Sequence, residues 1–193
     1  IDNGAGIYMN ASAATVTNVV VAGNEASVHG GGLYLWESAP TLSRMLVTGN
    51  TAGFYGGGMW FSDSDPTLTN VVISGNRAVD GAGMFLDYGD PVLTNVVVAG
   101  NVATDEAGGI YAWGASPRLT NAILADNQAA VPGGALLAPN DGLPLAVHTT
   151  AHGNTPHSYA GFPDPSGRMG NLAVVPQPLD PAALGEVFTT WVN

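Results

Sequence analysis

Apolar and polar residues alternate with a period of two along most of this chain, in runs of four to eight positions broken by glycine, proline and asparagine. That periodicity predicts short β-strands rather than helices, whose apolar face returns every 3.6 residues. The runs themselves recur. Asn24, Asn50, Asn76, Asn101, Asn127 and Asn154 form one column, and Gly6, Gly32, Gly58, Gly83, Gly109 and Gly134 a second in phase with it. A third contains Asn18, Arg44, Asn70, Asn95 and Asn121. All three columns step by 25 to 27 residues, which establishes an internal repeat.

Each unit reads as three short strands. A Gly-led aliphatic-aromatic segment (GLYLWE, GMWFSD, GMFLDY, GIYAWG) is followed by a turn ending in Pro40, Pro66, Pro91 or Pro117. A TLT-like segment and then a VVVAGN-like segment complete the unit. A unit of this length with no helical stretch closes as one coil of a parallel β-helix, in which each coil pairs with the next and buries its inward side chains. The fold expected is therefore an all-β, right-handed, single-stranded parallel β-helix of about six coils. The predicted inward columns are Ile7, Leu33, Met59, Met84, Ile110; Met9, Leu35, Phe61, Leu86, Ala112; Val16, Leu42, Leu68, Leu93, Leu119; and Val21, Val47, Ile73, Val98, Leu124. Stacked asparagines in the bends are expected to form amide ladders.

Regular coils occupy residues 1–137. Residues 138–193 hold a degenerate last coil, in which Leu145 to Asn154 aligns with TLTNVVVAGN and places His148 in the asparagine column, followed by a cap within the same domain. The opening IDNGAGIY repeats the text of AVDGAGMF, so the first strand is expected to continue into further coils or meet a partner.

Composition narrows the function. The 193 residues contain no cysteine and no lysine, and four arginines against 15 acids give a net charge of -11. Thiolate chemistry and disulfides are excluded. Nucleic-acid binding and an anionic-membrane patch both require clustered cations and are not expected, and no apolar run is long enough for membrane insertion. Repeated GGG-aliphatic-aromatic text, P-x-L-T-N-V-V-V-x-G-N-x-A, then N-T-P-x-x-Y-x-G and D-P-S-G-x-x-G-N-L, together resemble the secreted parallel β-helix repeat proteins of bacteria. The GG-aliphatic and G-N elements are also similar to polymorphic outer membrane protein repeats of autotransporter adhesins. The likeness covers roughly residues 1–175, and Val175-Pro176-Gln177-Pro178 departs from it. It implies a secreted or outer-surface scaffold or adhesin-like binding module with a glycan or protein partner.

Parity places Tyr8, Tyr34, Trp60, Phe85 and Tyr111 outside the first strand, with Trp36 and Trp113 further along the same face. Flat rings stack on sugar faces and carboxylates accept hydroxyl hydrogens, so this exposed stripe is expected to suit a neutral glycan. The plainer reading is that the rings clamp neighbouring coils or lie under a partner. Glu37, Asp63, Asp65, Asp87 and Asp90 come from consecutive coils and either gather oxygens around Ca²⁺, the one cofactor considered, or form a solvated acidic turn. Asp63, Asp65, Asp87 and Asp90 also define an alternative, a glycoside hydrolase or lyase using paired carboxylates. No catalytic motif is present and no catalytic residue is assigned.

Thr15/Thr17, Thr41/Ser43 and Thr67/Thr69 resemble ice-binding threonine arrays, an alternative interrupted at Val92 and Arg118. A purely structural spacer is the remaining class. Val20, Leu46, Val72, Val97 and Ile123 form a second outward stripe, expected to be covered by a neighbour or by Ala182 to Asn193. His148, His152 and His157 read as turn and cap residues, with metal binding as the lesser alternative.

Overall fold

The computed structural model describes residues 2–172. Every regular element among them is a strand, and every strand pair is parallel. Three sheets run along the coil axis. The first stacks Ile7–Asn10, Leu33–Trp36, Met59–Ser62, Met84–Asp87, Ile110–Trp113, Leu136–Leu137 and Tyr159–Ala160 in chain order. The second stacks Thr41–Thr48, Thr67–Ser74 and Val92–Ala99, with divided equivalents in the coils on either side. The third, not anticipated from the sequence, contains the two-residue strands Glu25–Ala26, Thr51–Ala52, Arg77–Ala78 and Val102–Ala103. Two residues are too few to show alternation, and only their alanines turn inward.

Register is conserved from coil to coil, with Leu33 beside Met59, Met59 beside Met84, and Met84 beside Ile110. The inward columns fill one continuous core, from Met9 and Val21 through Leu33, Phe61, Leu68 and Ile110 to Ala151. Strict alternation misses one core column, Met45, Val71, Val96 and Ala122, all buried. The cause is the bend: Arg44, Asn70, Asn95 and Asn121 adopt φ of 51°, 56°, 54° and 53°. A left-handed residue resets which face the chain presents, so two outward positions follow one another before Met45 turns back in. Asparagine tolerates that torsion better than other non-glycine residues, which explains the column, and His148 keeps it at 49° in the degenerate coil.

The buried asparagine column is a hydrogen-bonded ladder. Asn50 donates from Nδ2 to Asn76 Oδ1 (3.1 Å), Asn76 to Asn101 (2.9 Å), and Asn101 to Asn127 (2.9 Å). The same Oδ1 atoms accept from the backbone N–H of the preceding rung, and each Nδ2 also reaches a strand carbonyl, Val47 for Asn76 and Ile73 for Asn101. Every polar atom of these amides is thereby satisfied inside the wall, where an unpaired group would be costly.

Val20, Leu46, Val72 and Ile123 of the aliphatic stripe face outward and are exposed, with Val97 half-buried. The segment Ala182 to Asn193 offered as its cover, and Val175 to Pro178, lie outside the described residues.

Candidate functional site

On the outer face of the first sheet the expectation of an open aromatic stripe is corrected. Tyr34, Trp60, Phe85 and Tyr111 do point away from the core, but all four are buried in a second apolar cluster of their own. Their cover comes from turns that precede each strand, HGGG, YGGG, DGAG and EAGG. In the second, third and fourth coils the first glycine of the turn lies directly over a ring-bearing residue. A Cβ on Gly56 would stand 2.8 Å from the Trp60 Cβ, and one on Gly81 3.0 Å from that of Phe85. Glycine makes that approach without strain, and in the fifth coil the small side chain of Ala107 takes the same place at φ 53°. Of the seven stripe residues, Tyr8 (55% exposed), Trp36 (42%) and Trp113 (39%) are open to solvent.

The rings form one stack that recruits side chains from the turns. Tyr8 stacks on Tyr34 (5.1 Å between centroids) and Tyr34 on Trp60 (4.4 Å). His29 and Tyr55 then intervene: Trp60 lies 5.4 Å from His29, His29 4.9 Å from Tyr55, and Tyr55 4.6 Å from Phe85. Phe85 continues to Tyr111 (4.7 Å) and Tyr111 to Trp113 (6.1 Å). The ring faces are therefore largely taken up by one another, which favours the reading that they clamp adjacent coils.

Beside the stack lies a groove of about 260 Å³. Trp60, Phe85 and Tyr111 supply its strand side, His29, Tyr55 and Asp80 its turn side, and Asp87 and Trp113 complete the lining. Sequence reasoning did not single out His29, Tyr55, Asp80 or Glu106. A signal was present, because each residue stands immediately before a glycine turn, and backbone bridges align Asn3, His29, Tyr55 and Asp80 into a column.

The groove is acidic and partly desolvated. Burial raises the Asp80 carboxyl above its ordinary value; the Glu106 backbone N–H (2.9 Å) opposes this, while the charges of Asp105 and Glu106 add to it. Burial also raises Asp87, with the charge of Asp63 adding and Ser62 opposing. Tyr111 donates its hydroxyl to Glu106 Oε2 (2.9 Å), and burial together with that bond pushes its pKa far up. His29 is shifted down by burial, which keeps the imidazole neutral at pH 7. Its Nδ1 and the indole Nε1 of Trp60, a residue 6% exposed, are buried without a hydrogen-bond partner.

Both aspartates hold their protons to higher pH when folded than when unfolded. Their unfavourable effect on stability is therefore present above the raised folded values and vanishes as the pH falls below about 3.8. Asp87→Asn is expected to raise the melting temperature at pH 7, with the difference from the parent closing at low pH. An equal or lower melting temperature at pH 7 would contradict the assigned desolvation.

The five acids, read either as a calcium-gathering group or as a solvated acidic turn, have separate tasks. Glu37 and Asp63 occupy left-handed turn positions, φ 47° and 45°, a column continued by Tyr88. Asp65 Oδ1 accepts from the backbone N–H of Asp90 (2.7 Å), and Asp90 Oδ1 from that of Ser116 (3.1 Å), so these two carboxylates tie successive turns together. Asp87 turns to the groove. Among the described residues no three His, Cys, Asp or Glu side chains assemble as a metal-holding group.

Stacked parallel coils, a satisfied amide ladder and an external ring stack with an adjoining groove define a β-solenoid with a small recess on one face. The chain belongs to the right-handed β-helix family: residues 1–129 match the family model described as "Right handed beta helix region". Comparison with curated proteins gives no match.

Proposed function

We propose that this chain is a non-enzymatic binding module of a secreted or surface-attached β-helix protein, holding a glycan in the groove beside the first sheet. The observation that carries the reading is a recess lined by apolar rings and by two carboxylates that no basic side chain of the lining neutralises. The exposed indole of Trp113 suits the C–H face of a sugar, and the carboxylates accept its hydroxyl hydrogens. The likeness of the repeat text to secreted β-helix proteins supports the location. The alternative of a polysaccharide-cleaving enzyme draws less support, because Asp65 and Asp90, two of its four carboxylates, are engaged with turn amides.

Trp36, Trp60 and Trp113 all lie on the outer face of this sheet, so their fluorescence reports on it. A saturable change is expected on titration with one class of oligosaccharide. Trp113→Ala is expected to weaken that binding about tenfold, or ~1.4 kcal/mol, by removing the exposed ring of the lining. Titrations that stay flat with neutral, cationic and acidic oligosaccharides would overturn the reading.

A further inference from the structure

We propose that residues 173–193 of this chain lie back along the outward aliphatic column of the second sheet and cover it. The column is longer than the stripe read from the sequence. Val20 stands beside Leu46, Leu46 beside Val72, Val72 beside Val97 and Val97 beside Ile123 in unbroken parallel register. Ile123 then pairs with Thr150, and a backbone bridge sets Thr150 beside Leu172. Six aliphatic side chains and one threonine from successive coils thus fall on a single line. At the spacing of hydrogen-bonded strands it runs for about 29 Å. Val20, Leu46, Val72, Ile123 and Leu172 are exposed, with Val97 and Thr150 half-buried. An aliphatic row of that length left wet invites association. Leu172 is also the last described residue, so the chain that follows departs from the end of the row itself.

Sequence pattern, reach and charge select those residues as the occupant. Leu184, Val187, Phe188, Trp191 and Val192 recur at i, i+3, i+4, i+7 and i+8, the spacing that gathers apolar side chains on one face of a helix. Asp180-Pro181 ahead of them is a helix-start signal, a capping acid followed by proline at the first helical position. A helix from Pro181 to Val192 extends about 18 Å, and Leu46 to Ile123 spans about 14 Å of the row. Ala173 to Asp180 bridge up to roughly 28 Å when extended, so that apolar face reaches any part of the row. Charge agrees in sign. The strands of the second sheet carry Arg44 and Arg118 and no acid, whereas residues 173–193 carry Asp180 and Glu186 and no base. Attachment at Leu172 holds the segment at an effective concentration on the order of millimolar, which places it on the row ahead of a dilute second copy.

The test uses the whole chain and exploits its lack of cysteine. Val72→Cys and Ile123→Cys each place a single thiol on the row, and Ser27→Cys, at an exposed turn position after the short strand Glu25–Ala26, provides the open reference. Alkylation by iodoacetamide at pH 8 is measured for each variant, native and in concentrated urea, and the native rate is divided by the unfolded one. That ratio is expected to be at least tenfold lower at the two row positions than at the reference. Adding Phe188→Asp and Trp191→Asp is expected to bring the row positions up to the reference, because charged side chains do not enter an apolar contact, and Phe188→Ala alone is expected to give a partial rise. Equal ratios at all three positions without the added substitutions would overturn the proposal and leave the row open to another chain. Protection that survives the paired Asp substitutions would overturn it by assigning the cover to something other than this segment. Protection that fades on dilution, with dimers in sedimentation, would overturn it in favour of a second copy.

Discussion

Asn76→Ala is expected to destabilise the protein by about 4 kcal/mol, far more than the same change at Asn95. Asn76 Oδ1 accepts from both the backbone N–H and Nδ2 of Asn50, at 2.9 and 3.1 Å, while its Nδ2 donates to Val47 O and Asn101 Oδ1. Truncation leaves the Asn50 backbone N–H and one hydrogen of its Nδ2 without an acceptor and takes a bond from the Val47 carbonyl, the buried donors being worth roughly 1–3 kcal/mol each in lost satisfaction. Asn95 serves the other column. It is exposed, its neighbours Asn70 and Asn121 are 3.1 and 3.3 Å away, and water replaces those bonds when they are lost. Its replacement is expected to cost about 1 kcal/mol, mainly through the left-handed torsion that alanine tolerates less well. Urea midpoints of the two variants decide the matter. Equal midpoints would mean that the buried ladder is no more than a surface feature in energetic terms.

Gly58→Ala is expected to have an effect of similar size for a steric reason. A Cβ at this position would stand 2.5 Å from the carbonyl oxygen of Gly83 in the next coil, 2.9 Å from Asn76 Nδ2 and 3.1 Å from Ile73 Cγ2. The first obstacle is backbone, and the same carbonyl accepts from the N–H of Met59 at 3.0 Å. Accommodation therefore requires the coils to part where both the sheet and the asparagine ladder are anchored. Overpacking of this kind costs ~3 kcal/mol or more when backbone must yield, which for a chain of this size lowers the melting temperature by roughly 6 °C or more. A loss of 1 °C or less would contradict the close approach of Gly58 to Gly83.

These two columns, glycine and asparagine, are also what made the fold readable. Their spacing defined the coil, and the residues between them alternated cleanly enough to place Leu33, Met59, Leu68 and Ile73 in the core, where the structure has them. Alternation failed at Met45, Val71 and Val96 because the left-handed bend shifts the phase, a shift encoded in the asparagine column but visible only once its torsion is known. It also failed to reveal the third sheet, whose strands are two residues long.

The candidate site was legible in part. Parity placed the rings of Tyr34, Trp60, Phe85 and Tyr111 outside the core, but exposure does not follow from facing outward. Whether an outward ring is wet depends on what the rest of the coil lays over it, and here the glycine turns fold back onto the rings and insert His29 and Tyr55 into their stack. The same turns bring Asp80 to the groove, while the backbone amides of Asp90 and Ser116 draw Asp65 and Asp90 away from the acidic group that proximity in sequence suggested.

Local rules that repeat every 26 residues or so determined the coil, its register and its inward columns, since each depends only on residue type and on the identical coil beside it. The groove arises from contacts between unlike turns of successive coils, His29 against Tyr55 and Asp80 against Glu106. These residues share one column of the repeat before the glycine turns, but their types differ from coil to coil, so the periodic pattern marks the position while tertiary packing decided that a recess would form there.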